Sequence, residues 1–380
     1  MNIIIKNNIT YKYESYWRKS ADSKLKDSEG HLFPFPKEGD LWSEKTQFIG
    51  KLAKVHDYLK HSNKIKKLKH PRQCLICGKQ NVTEFICKLN KTIWENGLIH
   101  YINEHNIKPS ESFIEQIYKF LPYRRKNERT IKFESTSYTV NDLEYIKFTR
   151  NQLLILDALL YHGGKTKKYA DSNNKNIFRY SEHAGLIDFN KYGVDKILIS
   201  GKTSRVDEGD NDIYLPKNIK DAYDYEYIFH THPPTPKPGG RAVDGILYEF
   251  PSISDIFHFI DHFNSGKTQG SLVLAAEGLY NIRKLTFDKK KIKIDEDDFF
   301  DTMKQKFNNV QKNSLREYSS NFDTNFFYSV IAQNRKYIDD VNSKLNNYQL
   351  NIDYYPRVKD SKNKWVIDTI HLPVFVIEPK

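Results

Sequence analysis

Two stretches constrain this chain more than any others: YEYIFHTH (225–232) and SISDIFHFIDHFN (252–264). The first alternates apolar and polar residues as a strand does. Residues two apart on a strand share a face, so His230 and His232 project together. The second has helical apolar spacing, with Ser252 or Ser254 near its N-cap and Asp255 in its first turn. Two neutral imidazoles, a carboxylate and an open fourth position make the donor set of a catalytic zinc centre. Taken alone, the His-x-His pair is weak evidence and reads more readily as two polar residues at a strand end before a Pro-rich loop.

The rest of the chain sets the frame. Its 380 residues allow two or three domains, and a 38% hydrophobic content with 25 Tyr and 23 Phe predicts a globular protein. A net charge of +12 favours an acidic partner such as nucleic acid, or solubility alone. Lys, Asn, Ile and Tyr all have AT-rich codons, so genome composition accounts for part of that charge. No apolar run reaches the ~18 residues of a membrane span. The N-terminal MNIIIKNNITYKYESYW has no signal-peptide pattern. Three cysteines (Cys74, Cys77, Cys87) are too few for a disulfide framework, which predicts a reducing intracellular setting, the cytoplasm or the nucleus.

The segments divide as follows. Residues 1–70 form a basic polar extension with one helix from about Glu44. Residues 71–122 form a small metal-binding module, and 123–147 a charged connector. Residues 148–290 read as mixed α/β: a helix in FTRNQLLILDALLYH ending at Gly163-Gly164, strands in IFRYSEHAGLIDF, VDKILIS and YEYIFHTH, the 252–264 helix, and a hairpin turning near Glu277-Gly278. Residues 291–380 read as a helical extension, with a last strand pair in KWVIDTIHLPVFVIE. GGKT (163–166), GKT (201–203) and SGKT (265–268) lack the upstream glycine of a phosphate loop and read as turns.

His230-Thr-His232-Pro233 followed by Ser252-Ile-Ser-Asp255 resembles the signature of JAMM/MPN+ metalloproteases. SEHAGLIDF supplies the upstream strand glutamate, Glu182, with Gly185 three residues on. The resemblance covers about 140 residues and includes the order of elements. It implies an α+β, cytidine-deaminase-like core with a mixed sheet flanked by helices. It further implies one zinc held by His230, His232 and Asp255, Glu182 as general base, and Ser252 as oxyanion donor. The activity implied is a zinc-dependent isopeptidase, a deubiquitinase whose substrate is a ubiquitin or ubiquitin-like conjugate. The chain departs from the family in the eighteen residues from Pro234 to Pro251, where about seven are usual. This insert is either a substrate flap or a longer excursion. His258 and His262 lie on one helical face with Asp255 and are expected to be surface or half-buried residues rather than ligands. His183 is expected on the opposite strand face from Glu182.

In CLICGKQNVTEFICKLNKTIWENGLIHYINEH, Cys74 and Cys77 form a CxxC knuckle, a hairpin follows, and His100 and His105 lie on a helix. This is Cys2His2-like spacing for a second, structural zinc. Cys87 is either a substitute ligand or a small buried thiol. Lys64, Lys66, Lys67, Lys69, Arg72, Arg124 and Arg125 flank the module, so nucleic acid is a second partner to weigh beside a docked protein. Two rival readings of the whole chain follow: a non-catalytic MPN-type adaptor, and a nucleic-acid-associated zinc-finger protein.

Overall fold

The computed structural model describes residues 2–120, 130–133, 136–139, 144–165, 169–170, 178–179, 181–190, 193–200, 204–205, 222–232 and 238–374. They fall into two compact units, Met1–Arg124 and Arg125–Lys380.

The first unit is a five-stranded sheet with helices on one face. The hairpin β1 (Asn2–Lys6) and β2 (Ile9–Tyr13) is followed by α1 (Lys45–His61), then β3 (Ile65–Arg72), β4 (Thr83–Leu89), β5 (Thr92–Glu95), α2 (Leu98–His105) and α3 (Glu111–Lys119). The spatial order is β1-β2-β5-β4-β3. Along β4, Thr83, Phe85, Cys87 and Leu89 are buried, whereas Glu84, Ile86 and Lys88 are not. This is the period-2 signature of a sheet covered on one side. The covered side meets the apolar stripe of α1 (Phe48, Leu52, Val55, Leu59) and that of α3 (Phe113, Ile114, Ile117). Trp94 of β5 packs edge-on against Phe113 and donates Nε1–H to His56 Nε2 at 2.8 Å. Helix α1 starts after Glu44, as its spacing predicts.

The second unit is a three-layer α/β body. It begins with the hairpin β6 (Thr130–Phe133) and β7 (Thr136–Thr139), then β8 (Glu144–Phe148) and α4 (Arg150–Lys165). The short strands β9 (Tyr169–Ala170) and β10 (Phe178–Arg179) pair with each other, and β11 (Ser181–Glu182) pairs with β14 (Ser204–Arg205). The central sheet runs β13 (Gly193–Ile199), β12 (Ala184–Asn190), β15 (Tyr227–Thr231), β16 (Gly270–Leu274), β17 (Gly278–Lys284) and β18 (Leu350–Pro356). Only the β15–β16 contact is parallel. Their connection carries α5 (Ile253–Ser265), the crossover that a parallel pair requires. Helices α6 (Glu296–Tyr318) and α7 (Lys336–Leu345) join α5 on one face over Val273, Tyr280, Ile282 and Tyr354. On the other face α4 covers Phe229, Leu272, Leu274 and Tyr355. Strand β19 (Val358–Lys359) pairs with β20 (Trp365–Val366), and β21 (Ile370–Val374) pairs with β8. The two terminal strands therefore form no pair with each other, as the sequence suggested they would; each finds a different partner.

Two details bear on the site. Helix α4 runs through Gly163 and Gly164 to Lys165 instead of stopping there. Its Asp157 accepts both Nη groups of Arg357, at 2.6 and 2.9 Å, in an ion pair buried beneath the β16–β17 turn. The same guanidinium donates to the carbonyls of Ala275 and Ala276, so the turn, α4 and the residue after β18 are fastened at one point.

Two candidate metal centres

The centre in the second unit is built on β15 and the start of α5. The register places His230 opposite Ala184 of β12 and Val273 of β16, deep in the sheet. Gly185 allows this close approach: a Cβ there would collide with the Leu198 carbonyl and the Phe229 ring. The His183 and Thr231 backbones are tied together by Thr231 N–H to His183 O at 2.9 Å and His183 N–H to Thr231 Oγ1 at 3.0 Å. His230 Nε2 and His232 Nε2 lie 3.1 Å apart, on one face as the alternation predicts.

Asp255 reaches them from α5. Its Oδ1 is 3.2 Å from His230 Nε2 and its Oδ2 3.4 Å from His232 Nε2. The helix N-terminus holds this carboxylate in a capping box. Ser252 is the N-cap: its Oγ accepts Asp255 N–H at 3.1 Å, and Asp255 Oδ2 accepts Ser252 N–H at 2.6 Å. Burial opposes the charge on Asp255, yet the two imidazoles hold its carboxyl well below the usual range. Burial likewise opposes a charge on His232. The Asp255 hydrogen bond and charge, with Glu182 and Glu249, reverse this and raise it to about 10.

The donor set fits zinc. Oxygen and nitrogen ligands at about 2.0–2.1 Å in a tetrahedron stand roughly 3.3–3.4 Å apart, the spacing of these three side chains. His230 and Asp255 are 3% and 4% exposed, whereas the His232 side chain keeps 15%, so the cluster opens on the His232 side. Glu182, on β11, is half-buried and close enough for its charge to act on His232.

Spacing gave no hint of what stands behind His232. Its Nδ1 is 3.2 Å from the Glu249 carbonyl, and Glu249 N–H donates to Glu277 Oε1 at 2.7 Å. Glu277 is fully buried in the β16–β17 turn, where Tyr280 also donates to it at 2.7 Å. A hydrogen bond to the far ring nitrogen fixes tautomer and orientation in metal-binding histidines. The second half of the insert supplies that carbonyl. Leu247, Tyr248 and Phe250 are buried, Gln311 of α6 binds the Leu247 and Tyr248 amides, and Tyr248 donates to Ile331 O. Residues 246–250 are thus anchored, while Val243 at the tip is 76% exposed.

His258 and His262 lie outside the cluster. His262 is buried against Tyr223, and His258 is half-buried. His183 turns to His162, with their ring nitrogens 3.1 Å apart.

The centre in the first unit joins the knuckle to α2. Cys74 Sγ lies 3.3 Å from His105 Nε2 and Cys77 Sγ 3.4 Å from His100 Nε2, with all four ligand atoms within 4.8 Å of one another. The sulfur–nitrogen edge of a zinc tetrahedron is about 3.5 Å. Gly78 turns the knuckle at φ +72°, and Ile76 N–H points at Cys74 Sγ at 3.4 Å. His105 Nδ1 faces Glu38 at 3.7 Å. Cys87 lies outside this cluster, buried on the covered face of β4, where burial pushes its thiol up to about 12.

Against known proteins, the sequence is 33% identical over 311 residues to the uncharacterized protein R413 of Acanthamoeba polyphaga mimivirus, covering 80% of this chain and 86% of that one. The chain belongs to the R413 family. No family model matches it, and no solved structure does so significantly. Among the described residues no helix is long and apolar enough to cross a membrane.

Proposed function

We propose that the second unit is a zinc-dependent isopeptidase of JAMM type, which removes ubiquitin or a ubiquitin-like modifier from lysine side chains. The observation that carries this reading is the meeting of His230, His232 and Asp255 at ligand spacing, with Ser252 bonded to the third. The modifier comes from the family resemblance.

A zinc ion held there supplies Lewis acidity, polarising the scissile carbonyl and acidifying water. Glu182 takes the proton of the attacking water and delivers it to the leaving amine. Its half-buried position beside the charged cluster suits a carboxylate that must exchange protons without leaving the site. Ser252 Oγ has a lone pair engaged by Asp255 N–H, which leaves its own proton to stabilise the oxyanion. Loss of one such donor costs about 3 kcal/mol of transition-state stabilisation. The Glu249 carbonyl accepts from His232 Nδ1, an arrangement that turns Nε2 toward the cluster and would offer it to an ion. The Cys74, Cys77, His100 and His105 centre is a structural zinc site that stabilises the first unit.

The test is cleavage of a panel of isopeptide-linked ubiquitin chains, with chelator and Glu182→Gln controls. Chelator-sensitive cleavage that Glu182→Gln reduces at least 100-fold, with zinc retained, supports the reading. Wild-type activity in Glu182→Gln removes the base assignment. No cleavage by zinc-loaded protein favours the non-catalytic adaptor.

A further inference from the structure

The first unit concentrates the chain's positive charge. Residues 1–124 carry 22 Lys and Arg against 13 Asp and Glu, and residues 125–380 carry 38 against 35. A third of the sequence thus holds +9 of the net +12.

The sheet gives this charge a platform. One face is sealed by α1 and α3. The register puts Tyr11 and Tyr13 of β2, Ile93 of β5, Ile86 and Lys88 of β4 and Lys66 of β3 together on the other face. Tyr11, Tyr13, Ile86 and Ile93 are neither buried nor fully exposed; Tyr16 and the buried Phe33 pack edge-on against Tyr13, so the partly open surface centres on Tyr11, Ile86 and Ile93. Lysines interleave with it. Lys88 Nζ stands 4.7 Å from the centre of the Tyr11 ring, and Lys66 and Lys88 have no carboxylate partner among the described residues. The register turns Lys67 to the opposite face, beside Phe85, so on β3, the edge strand, this face draws its charge from Lys66. The acids at outward positions of β4 and β5 are Glu84, at the sheet margin, and Glu95, which Arg72 neutralises. Arg72 also lies over the Tyr16 ring.

Lysines alone would serve any polyanion. A flat ring, Tyr11, among cations without carboxylate partners on a helix-free sheet face favours an occupant with both phosphates and unstacked bases. Each base has a π-face for a tyrosine, and each phosphate a place near an ammonium. A duplex hides its bases and could use only the charge.

We infer that the helix-free face of the first unit's sheet binds single-stranded nucleic acid, with a base stacked on Tyr11 and backbone phosphates met by Lys66 and Lys88.

The experiment is fluorescence anisotropy of the full chain with fluorescein-labelled 20-mer oligo(dT) and oligo(U), and a 20-base-pair duplex as control, from 50 to 200 mM salt. Single strands are expected to bind at least tenfold tighter than duplex, with affinity falling steeply with salt. Tyr11→Ala should weaken single-strand binding about tenfold and leave duplex binding unchanged. Lys66→Ala with Lys88→Ala should weaken both and lower the salt slope. All three positions are partly or fully exposed, and melting curves confirm that each variant is folded. Three results would overturn the inference: no single-strand binding at 50 mM salt, equal affinity for duplex, or Tyr11→Ala and the double variant both binding oligo(dT) like the wild type. Selective binding of polyglutamate over oligo(dT) would also overturn it, because the surface would then serve an acidic protein.

Discussion

At the scale of single residues, the second unit holds several carboxyl groups where water does not reach. Glu226 on the approach to β15 is one: burial, reinforced by the Asp188 hydrogen bond and charge, raises its pKa. The folded state therefore keeps a proton that the unfolded state releases in the ordinary carboxylate range. Stability must fall as pH rises through and above that range, by at most about 1.4 kcal/mol per pH unit for this one proton, and level off above the folded pKa. Thermal melts between pH 5 and 9 should show a decline that Glu226→Gln flattens; an equally steep decline in the variant would assign it elsewhere. Gly185 is set by contact rather than by charge. Gly185→Ala should destabilise the fold by about 1–3 kcal/mol, read as a lower denaturation midpoint, because the Leu198 carbonyl and the Phe229 ring must give way.

At the scale of elements, the Asp157–Arg357 pair fastens α4 to the β16–β17 turn. Removing one partner leaves an uncompensated buried charge, so Asp157→Ala should cost about 3–5 kcal/mol in chemical denaturation. Asp157→Asn keeps an acceptor for Arg357 and should cost less. This scale also shows what the sequence could tell. The elements that carry the two candidate clusters were legible because their signals are local: alternation in YEYIFHTH, a serine three residues ahead of an aspartate at a helix start, and a CxxC before a helix with two histidines. The end of α4 was not, because nearby glycines resemble a helix stop whether or not the backbone leaves the helix there. The β8–β21 ladder joins residues more than 200 positions apart, and no local pattern announces such a partner. Glu249 and Glu277 escaped notice for the same reason. Their roles exist only once the insert, the turn and β15 are brought together.

For the whole molecule, two clusters of metal-ligand spacing in two separate units predict two zinc ions per chain. Elemental analysis of the purified protein should find both. Cys74→Ala should remove one and lower the melting temperature by several degrees, leaving the other in place. His230→Ala should remove the other and spare the first. Loss of both ions in either variant would mean that the sites are not independent.

One carboxylate belongs to two structures at once. Asp255 closes the capping box of α5 and points both oxygens at the imidazoles of β15. Whatever neutralises that carboxylate therefore also changes how firmly the first turn of the helix is wound. Amide hydrogen exchange at Ser252 and Asp255 becomes a gauge of occupancy. Loading with zinc should slow it and chelation should quicken it, while the amides in the middle of the same helix keep their rate.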